Sequence, residues 1–189
     1  KGKMGMTTKE EDFVSNLFIA STHSYILFFT DKGKVYSLKV YDIPQAGRAA
    51  KGKAIVNILN LTQDEKITAF LPVREFVEGK NIVMCTVKGV IKKTDLVAFS
   101  NIRSGGLIAV NLDPGDGLIA ARLTDGNMEL FLGTREGMAT RFHEKEVREM
   151  GRQARGVKGI NLAEGDRVVS METVDEGATV LTVTEKGYG

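Results

Sequence analysis

Arg103-Ser104-Gly105-Gly106 and Arg155-Gly156-Val157-Lys158-Gly159 set guanidinium and ammonium groups beside glycines. Charge and a Cβ-free backbone in one short stretch suit a phosphate. Glycine lets backbone N–H groups approach its oxygens, and the cations add charge-assisted hydrogen bonds. That is binding chemistry, and the side chains that could make or break bonds are dispersed. His23 and His143 lie far apart with no Cys or His at ligand spacing, so no metal site is expected. Tyr25, Tyr36, Tyr41 and Tyr188 read as strand residues rather than nucleophiles. The single cysteine, Cys85, falls in the apolar run Ile82-Val83-Met84-Cys85 and is expected to be inert core in a reducing compartment. Asp64, Asp116 and Asp166 recur once per repeat, as turn residues do, instead of clustering as a catalytic pair must. The Gly-rich stretches lack the Gly-Lys-Ser/Thr ending of a nucleotide-binding loop. No catalytic residue, metal or cofactor is therefore expected.

The elements that position these residues repeat. Four segments share Thr, two variable residues and Gly after an apolar strand, at Thr30/Gly33, Thr86/Gly89, Thr134/Gly137 and Thr184/Gly187, in steps of 56, 48 and 50 residues. A second landmark keeps its own register, Gly followed five residues later by Asn, at Gly52/Asn57, Gly106/Asn111 and Gly156/Asn161. The first landmark reads as a hairpin: Ile26-Leu27-Phe28-Phe29 meets a turn at Asp31-Lys32-Gly33, and Val35, Leu38 and Val40 return along a second strand. Further turns are signalled at Glu78-Gly79-Lys80, Asp125-Gly126-Asn127 and Glu176-Gly177. Glu144 to Met150 is the best helix candidate and is no longer than a turn or two.

Each period thus holds about four strands, which suits a propeller-type blade. The expected fold is all-β, with blade repeats at 1–44, 45–100, 101–150 and an incomplete 151–189. A lone blade cannot bury both faces, so neighbours must stack. Because Lys186-Gly187-Tyr188-Gly189 stops inside a hairpin, the expectation is an open arc or a piece of something longer.

The formal net charge of +2 conceals an uneven distribution. The segments that open the periods hold Lys1 and Lys3; Arg48, Lys51 and Lys53; Arg103; and Arg152, Arg155 and Lys158, nine cations with no acid among them, so the remainder carries −7. Stacked blades would line these cations along one curved edge, which is the footprint of a polyanion-binding surface. The expected partner is therefore a nucleic acid, and since no residue set reads base edges, binding is expected to rest on phosphates and on DNA deformability with little sequence preference. No apolar run is long enough to span a membrane and the segment Lys1 to Glu10 is charged, which points to a cytoplasmic chain.

Four stretches carry a family likeness. Lys9-Glu10-Glu11-Asp12-Phe13-Val14, Phe18-Ile19-Ala20-Ser21-Thr22-His23, Phe28-Phe29-Thr30-Asp31-Lys32-Gly33-Lys34-Val35-Tyr36, and Ala50-Lys51-Gly52 before Ala54-Ile55-Val56-Asn57 resemble the C-terminal domain of the A-type subunit of DNA gyrase. The resemblance runs along essentially the whole chain. It implies a β-pinwheel, a ring of about six four-stranded blades in which neighbours exchange strands. It also implies a role: bending duplex DNA around a basic rim in a positive-handed wrap, so that strand passage elsewhere in the enzyme yields negative supercoils. The implied partners are the rest of the gyrase A-type subunit and the gyrase B-type subunit, which carry the cleavage tyrosine, the metal-binding carboxylates and the ATP site; no segment here matches those. The family's heptapeptide Q-R-R-G-G-K-G is met only in its last two letters, by Lys1-Gly2, so the sequence is expected to start inside that motif. The A-type subunit of topoisomerase IV has a similar pinwheel without a proper heptapeptide, and the Lys9 to Val14 and Phe18 to His23 stretches are the more gyrase-like. A competing class is a propeller that displays loops to a protein partner.

Overall fold

The computed structural model describes residues 16–47, 50, 52–175 and 177–188. Among them the chain folds into three antiparallel sheets with no α-helix.

Each sheet is built on one of the hairpins marked by Thr and Gly. The first joins β1 (Tyr25–Thr30) to β2 (Lys34–Lys39). After β3 (Ile67–Val73) the second joins β4 (Asn81–Thr86) to β5 (Val90–Asp95). Two residues, Leu107–Ile108, form β6, and Leu118–Thr124 form β7. The third hairpin joins β8 (Glu129–Thr134) to β9 (Ala139–His143), followed by β10 (Val157–Lys158) and β11 (Val168–Val174). In every hairpin the Gly amide donates to the Thr carbonyl, at 3.0 Å for Gly33, 3.0 Å for Gly89 and 3.1 Å for Gly137, and the glycine takes positive φ. The Thr hydroxyl closes the turn a second time, since Thr86 and Thr134 each accept the amide of the residue four further on, at 3.1 Å. Thr184 accepts from Tyr188 at 3.1 Å in the same way.

The sheet orders are β3-β1-β2-β6, β10-β5-β4-β7 and β11-β8-β9. The first takes its strands from 25–39, 67–73 and 107–108, so it draws its fourth strand from beyond the hairpin of the next sheet. Likewise β10, which follows the third hairpin, returns to the second sheet. Sheets and sequence periods are therefore offset by one strand. β3 packs against β7 and β7 against β11, so these edges of the three sheets lie side by side, and β6 and β10 form the opposite, outer edges of the first two sheets. The third sheet has no partner on β9 among the described residues, and the arc is not closed.

Alternation of side chains along the strands explains how the sheets stack. Ile82 and Met84 of β4 pack with Leu27 and Phe29 of β1, and with Leu96 and Phe99 from a short 3₁₀ turn. The neighbouring residues Val83 and Cys85 point the other way, into Leu130, Leu132 and Met171 of the third sheet. All six residues of β4 are buried. The outer face of the first sheet, Ile26 and Phe28, is covered by Leu59 and other side chains of the long connection to β3. Burial pushes the Cys85 thiol up to about 12, which fits the expected inert core position. The candidate helix after His143 is a 3₁₀ turn at Glu144–Glu146, capped by the His143 ring accepting from the Lys145 amide at 3.1 Å.

Candidate nucleic-acid interface

The basic stretches 101–112 and 151–163 are the connectors that carry the exchanged outer strands. β6 pairs Leu107 with Val35 and Ile108 with Lys34, and β10 pairs Val157 with Ile91 and Lys158 with Val90. Two-residue strands hold weakly by themselves, so contact with the preceding hairpin must seat them. Glycine permits that contact. Gly106 has φ +77°, and a Cβ there would lie 2.9 Å from Cε1 of Tyr36; Gly156 has φ +107°, and a Cβ there would lie 2.5 Å from the Ile91 carbonyl oxygen. The expectation that these glycines free amides for phosphate is corrected at two positions. The Gly106 amide donates to the Arg103 carbonyl at 2.9 Å and the Gly159 amide to the Gly89 carbonyl at 2.8 Å, so the glycines here serve close packing.

Lys1, Lys3, Arg48 and Lys51 lie outside the described residues. Lys53 is exposed beside the 3₁₀ turn Ile55–Asn57, and Arg103 is exposed on the connector leading to β6. Arg152, Arg155 and Lys158 share one connector; Lys158 and Arg155 are exposed and Arg152 is half-buried. Arg155 does not stand alone. Its Nη1 lies 3.1 Å from Asp113 Oδ1, an acid contributed by the preceding connector. With the arginine side chain 75% exposed, such a pair contributes at most about 1 kcal/mol, so the guanidinium can be drawn to a phosphate at little loss.

Three structural side chains were not legible as such. Lys92 is 1% exposed, and its ammonium donates to the Ala109 carbonyl at 2.7 Å and to the Arg152 carbonyl. Burial, with the Arg152 charge adding to it, pulls this lysine down to about 8. Lys93 points to the opposite face and donates to the buried Glu144 carbonyl at 2.7 Å. Glu65, and not Asp64, is the acid that structures the first turn: it is buried and accepts from the Tyr36 hydroxyl at 2.7 Å, the Thr62 amide at 2.8 Å and the Thr30 hydroxyl at 3.2 Å. Its counterparts Asp116 and Asp166 accept turn amides from Lys88 at 2.9 Å and Glu136 at 3.1 Å, as expected of turn residues. Counting back from the following strand would have found it, since Glu65, Asp116 and Asp166 each stand two residues before β3, β7 and β11. The signal for Lys92 is its place three residues after Gly89, where the first hairpin has the buried Tyr36 three residues after Gly33.

Successive antiparallel sheets, each taking an outer strand from the unit that follows, define a propeller-type β domain, with Arg103, Arg155 and Lys158 exposed on the connectors that carry those strands. The chain belongs to the DNA gyrase C-terminal domain family: the family described as "DNA gyrase C-terminal domain, beta-propeller" matches residues 1–21, 24–74, 80–125 and 129–175. The last three matched units contain β1 to β3, β4 to β7 and β8 to β11, so each later unit includes the strand it lends to the preceding sheet. The A-type subunit of DNA gyrase from Escherichia coli (strain K12) is 49% identical over 189 residues, all of this chain and 22% of the relative. The A-type subunit of DNA gyrase from Clostridium acetobutylicum is 54% identical over 159 residues, 84% of this chain and 19% of the relative. The chain thus spans about a fifth of the length of these relatives. Among solved structures, the C-terminal domain of DNA topoisomerase IV aligns with a TM-score of 0.81 and 34% identity, covering 91% of this chain and 54% of that one. A DNA gyrase A C-terminal domain aligns with a TM-score of 0.69 and 25% identity, covering 83% and 50%.

Proposed function

We propose that this chain is a non-catalytic module that binds and bends duplex DNA along its outer edge, in service of a gyrase. The observation that supports this most strongly is the position of the cations: the connectors bearing Arg103 and Arg152, Arg155 and Lys158 carry the outermost strands of two consecutive sheets. A duplex crossing those edges in turn would meet phosphate ligands on each blade and would have to curve to follow the arc. Smooth bending of 20–30 base pairs by 40–90° costs on the order of 1–6 kcal/mol, which several charge-assisted phosphate contacts can offset. Phosphate binding of this kind needs no cofactor and reads little sequence.

In the parent enzyme the bent segment would be presented to the cleavage domain of the A-type subunit, working with the B-type subunit in the cytoplasm. A positive-handed wrap there would bias strand passage toward negative supercoils. The test is fluorescence anisotropy with two duplexes of unrelated sequence. Binding to both is expected, with log K falling against log salt by about 4 to 8 units per decade, for five to nine neutralised phosphates. Charge reversal at Arg103, Arg152 and Arg155 should reduce affinity without unfolding the chain. Absence of binding to any duplex at low salt would refute the proposal and favour a protein-interaction propeller.

A further inference from the structure

Lys92 is a buried cation inside a sheet, and the residues at its place in the other hairpins do something else. In the first hairpin Tyr36 occupies this place and spends its hydroxyl on Glu65, which belongs to the connection leading into the same sheet. In the third hairpin the place falls to Thr140, too short to reach out. Of the three, Lys92 alone joins two successive connectors: Ala109 lies just after β6, on its way out of the first sheet, and Arg152 lies ahead of β10, on its way into the second. Burying an ammonium is unfavourable, and methionine would fill the same volume without desolvating a charge. What the ammonium adds is a fixed distance between two backbones.

We propose that Lys92 is a positioning residue for the DNA track, clamping the two neighbouring basic connectors so that Arg103 on one and Arg152, Arg155 and Lys158 on the next are held at a set spacing. Three more contacts lie along the same seam. Asn111 donates its side-chain amide to the Gln153 carbonyl at 2.5 Å and its backbone amide to the Ala154 carbonyl at 3.4 Å, and Asp113 pairs with Arg155. The clamp acts on the backbone of Arg152 itself, so it fixes where that guanidinium begins. A duplex is a stiff ligand with a repeating phosphate spacing, and cations on a loosened seam cannot all meet it at once. The inference rests on the DNA-binding reading above.

The experiment titrates a duplex of about 30 base pairs, dye-labelled at both ends, with wild type, Lys92→Met and Asn111→Ala, reading affinity, salt slope and end-to-end energy transfer at saturation. For Lys92→Met a cooperative melt should persist, while affinity falls about tenfold, roughly one charge-assisted contact, and energy transfer drops as the bend relaxes. Asn111→Ala should shift both readouts the same way by a smaller amount. A folded Lys92→Met chain that binds and bends like wild type overturns the clamp and leaves the DNA-binding reading intact. Should Lys92→Met fail to fold, wild-type affinity and bend in Asn111→Ala overturn it instead. A wild-type chain that binds no duplex overturns both.

Discussion

Gly156→Ala isolates the seating of a basic connector from the stability of the blade beneath it. At φ +107° alanine meets backbone strain, and its Cβ would stand 2.5 Å from the Ile91 oxygen and 2.8 Å from Val90 Cγ1. β5 cannot retreat, because β4 holds its other edge. Strain alone amounts to about 1–2 kcal/mol, and the overlap raises the total to roughly 3 kcal/mol. The connector is held to β5 by two paired residues and the Lys92 ammonium, to Gly89 by the Gly159 amide and to the preceding connector by Asn111. These are fewer bonds than the ladders of the sheet, so it detaches more cheaply than the sheet unfolds. Detachment withdraws Arg152, Arg155 and Lys158 from the track, and the slope of log K against log salt should flatten by about 2 to 3 units. Gly165→Ala is the control: φ is +79° there but nothing lies within 4 Å, so it meets strain without collision and should keep the slope. The assays are salt-dependent anisotropy and amide exchange across 157–159. A Gly156→Ala chain with wild-type slope and wild-type protection would refute the argument that this glycine seats the connector.

Glu65→Ala should destabilise the chain by about 2–4 kcal/mol in urea unfolding, because the Tyr36 and Thr30 hydroxyls and the Thr62 amide lose their acceptor together. Burial raises the Glu65 carboxyl, but the bonds from Thr62 and Tyr36 and the charge of Lys34 bring it below its ordinary 4.5. Its stabilisation is then complete above that value and lost as pH falls through the folded one, so Glu65→Gln should flatten the acid limb of the stability curve. Lys92 runs the other way: with its folded value near 8 against 10.5, the unfolded chain binds the extra proton between those limits and stability rises with pH across them. The full rise is at most about 3 kcal/mol, and Lys92→Met should abolish it in denaturation curves taken from pH 7 to 11. Cys85, buried and pushed up to about 12, should react with a thiol reagent only as the chain unfolds, so the labelling rate should climb with urea in step with the loss of β signal.

The hairpins could be read from the sequence because their chemistry is local. Gly33, Gly89 and Gly137 need positive φ within three residues of a Thr that closes the turn, and both residue types are visible in one dimension. Strand exchange could not be read that way. Leu107–Ile108 and Val157–Lys158 are two residues long, too short for an alternating pattern, and their partners Val35 and Ile91 lie more than sixty residues earlier. Lys92 and Lys93 look like solvated strand residues until the neighbouring connector and turn deliver carbonyls to them. The clustering of cations where the periods open was legible as a composition pattern, whereas the sheet order was needed to see that the connectors bearing Arg103 and Arg152, Arg155 and Lys158 carry β6 and β10. The Arg155–Asp113 pair was not, since the acid comes from a different repeat.

The central claim is that a double helix follows the cations from one outer strand to the next and is bent as it does so. Relaxed plasmid closed by ligase with the chain bound reports this directly. The linking number should shift in one direction in proportion to protein bound, and the shift should vanish for a folded chain carrying Arg152→Glu, Arg155→Glu and Lys158→Glu. An unchanged topoisomer distribution at concentrations that saturate the plasmid would contradict the claim.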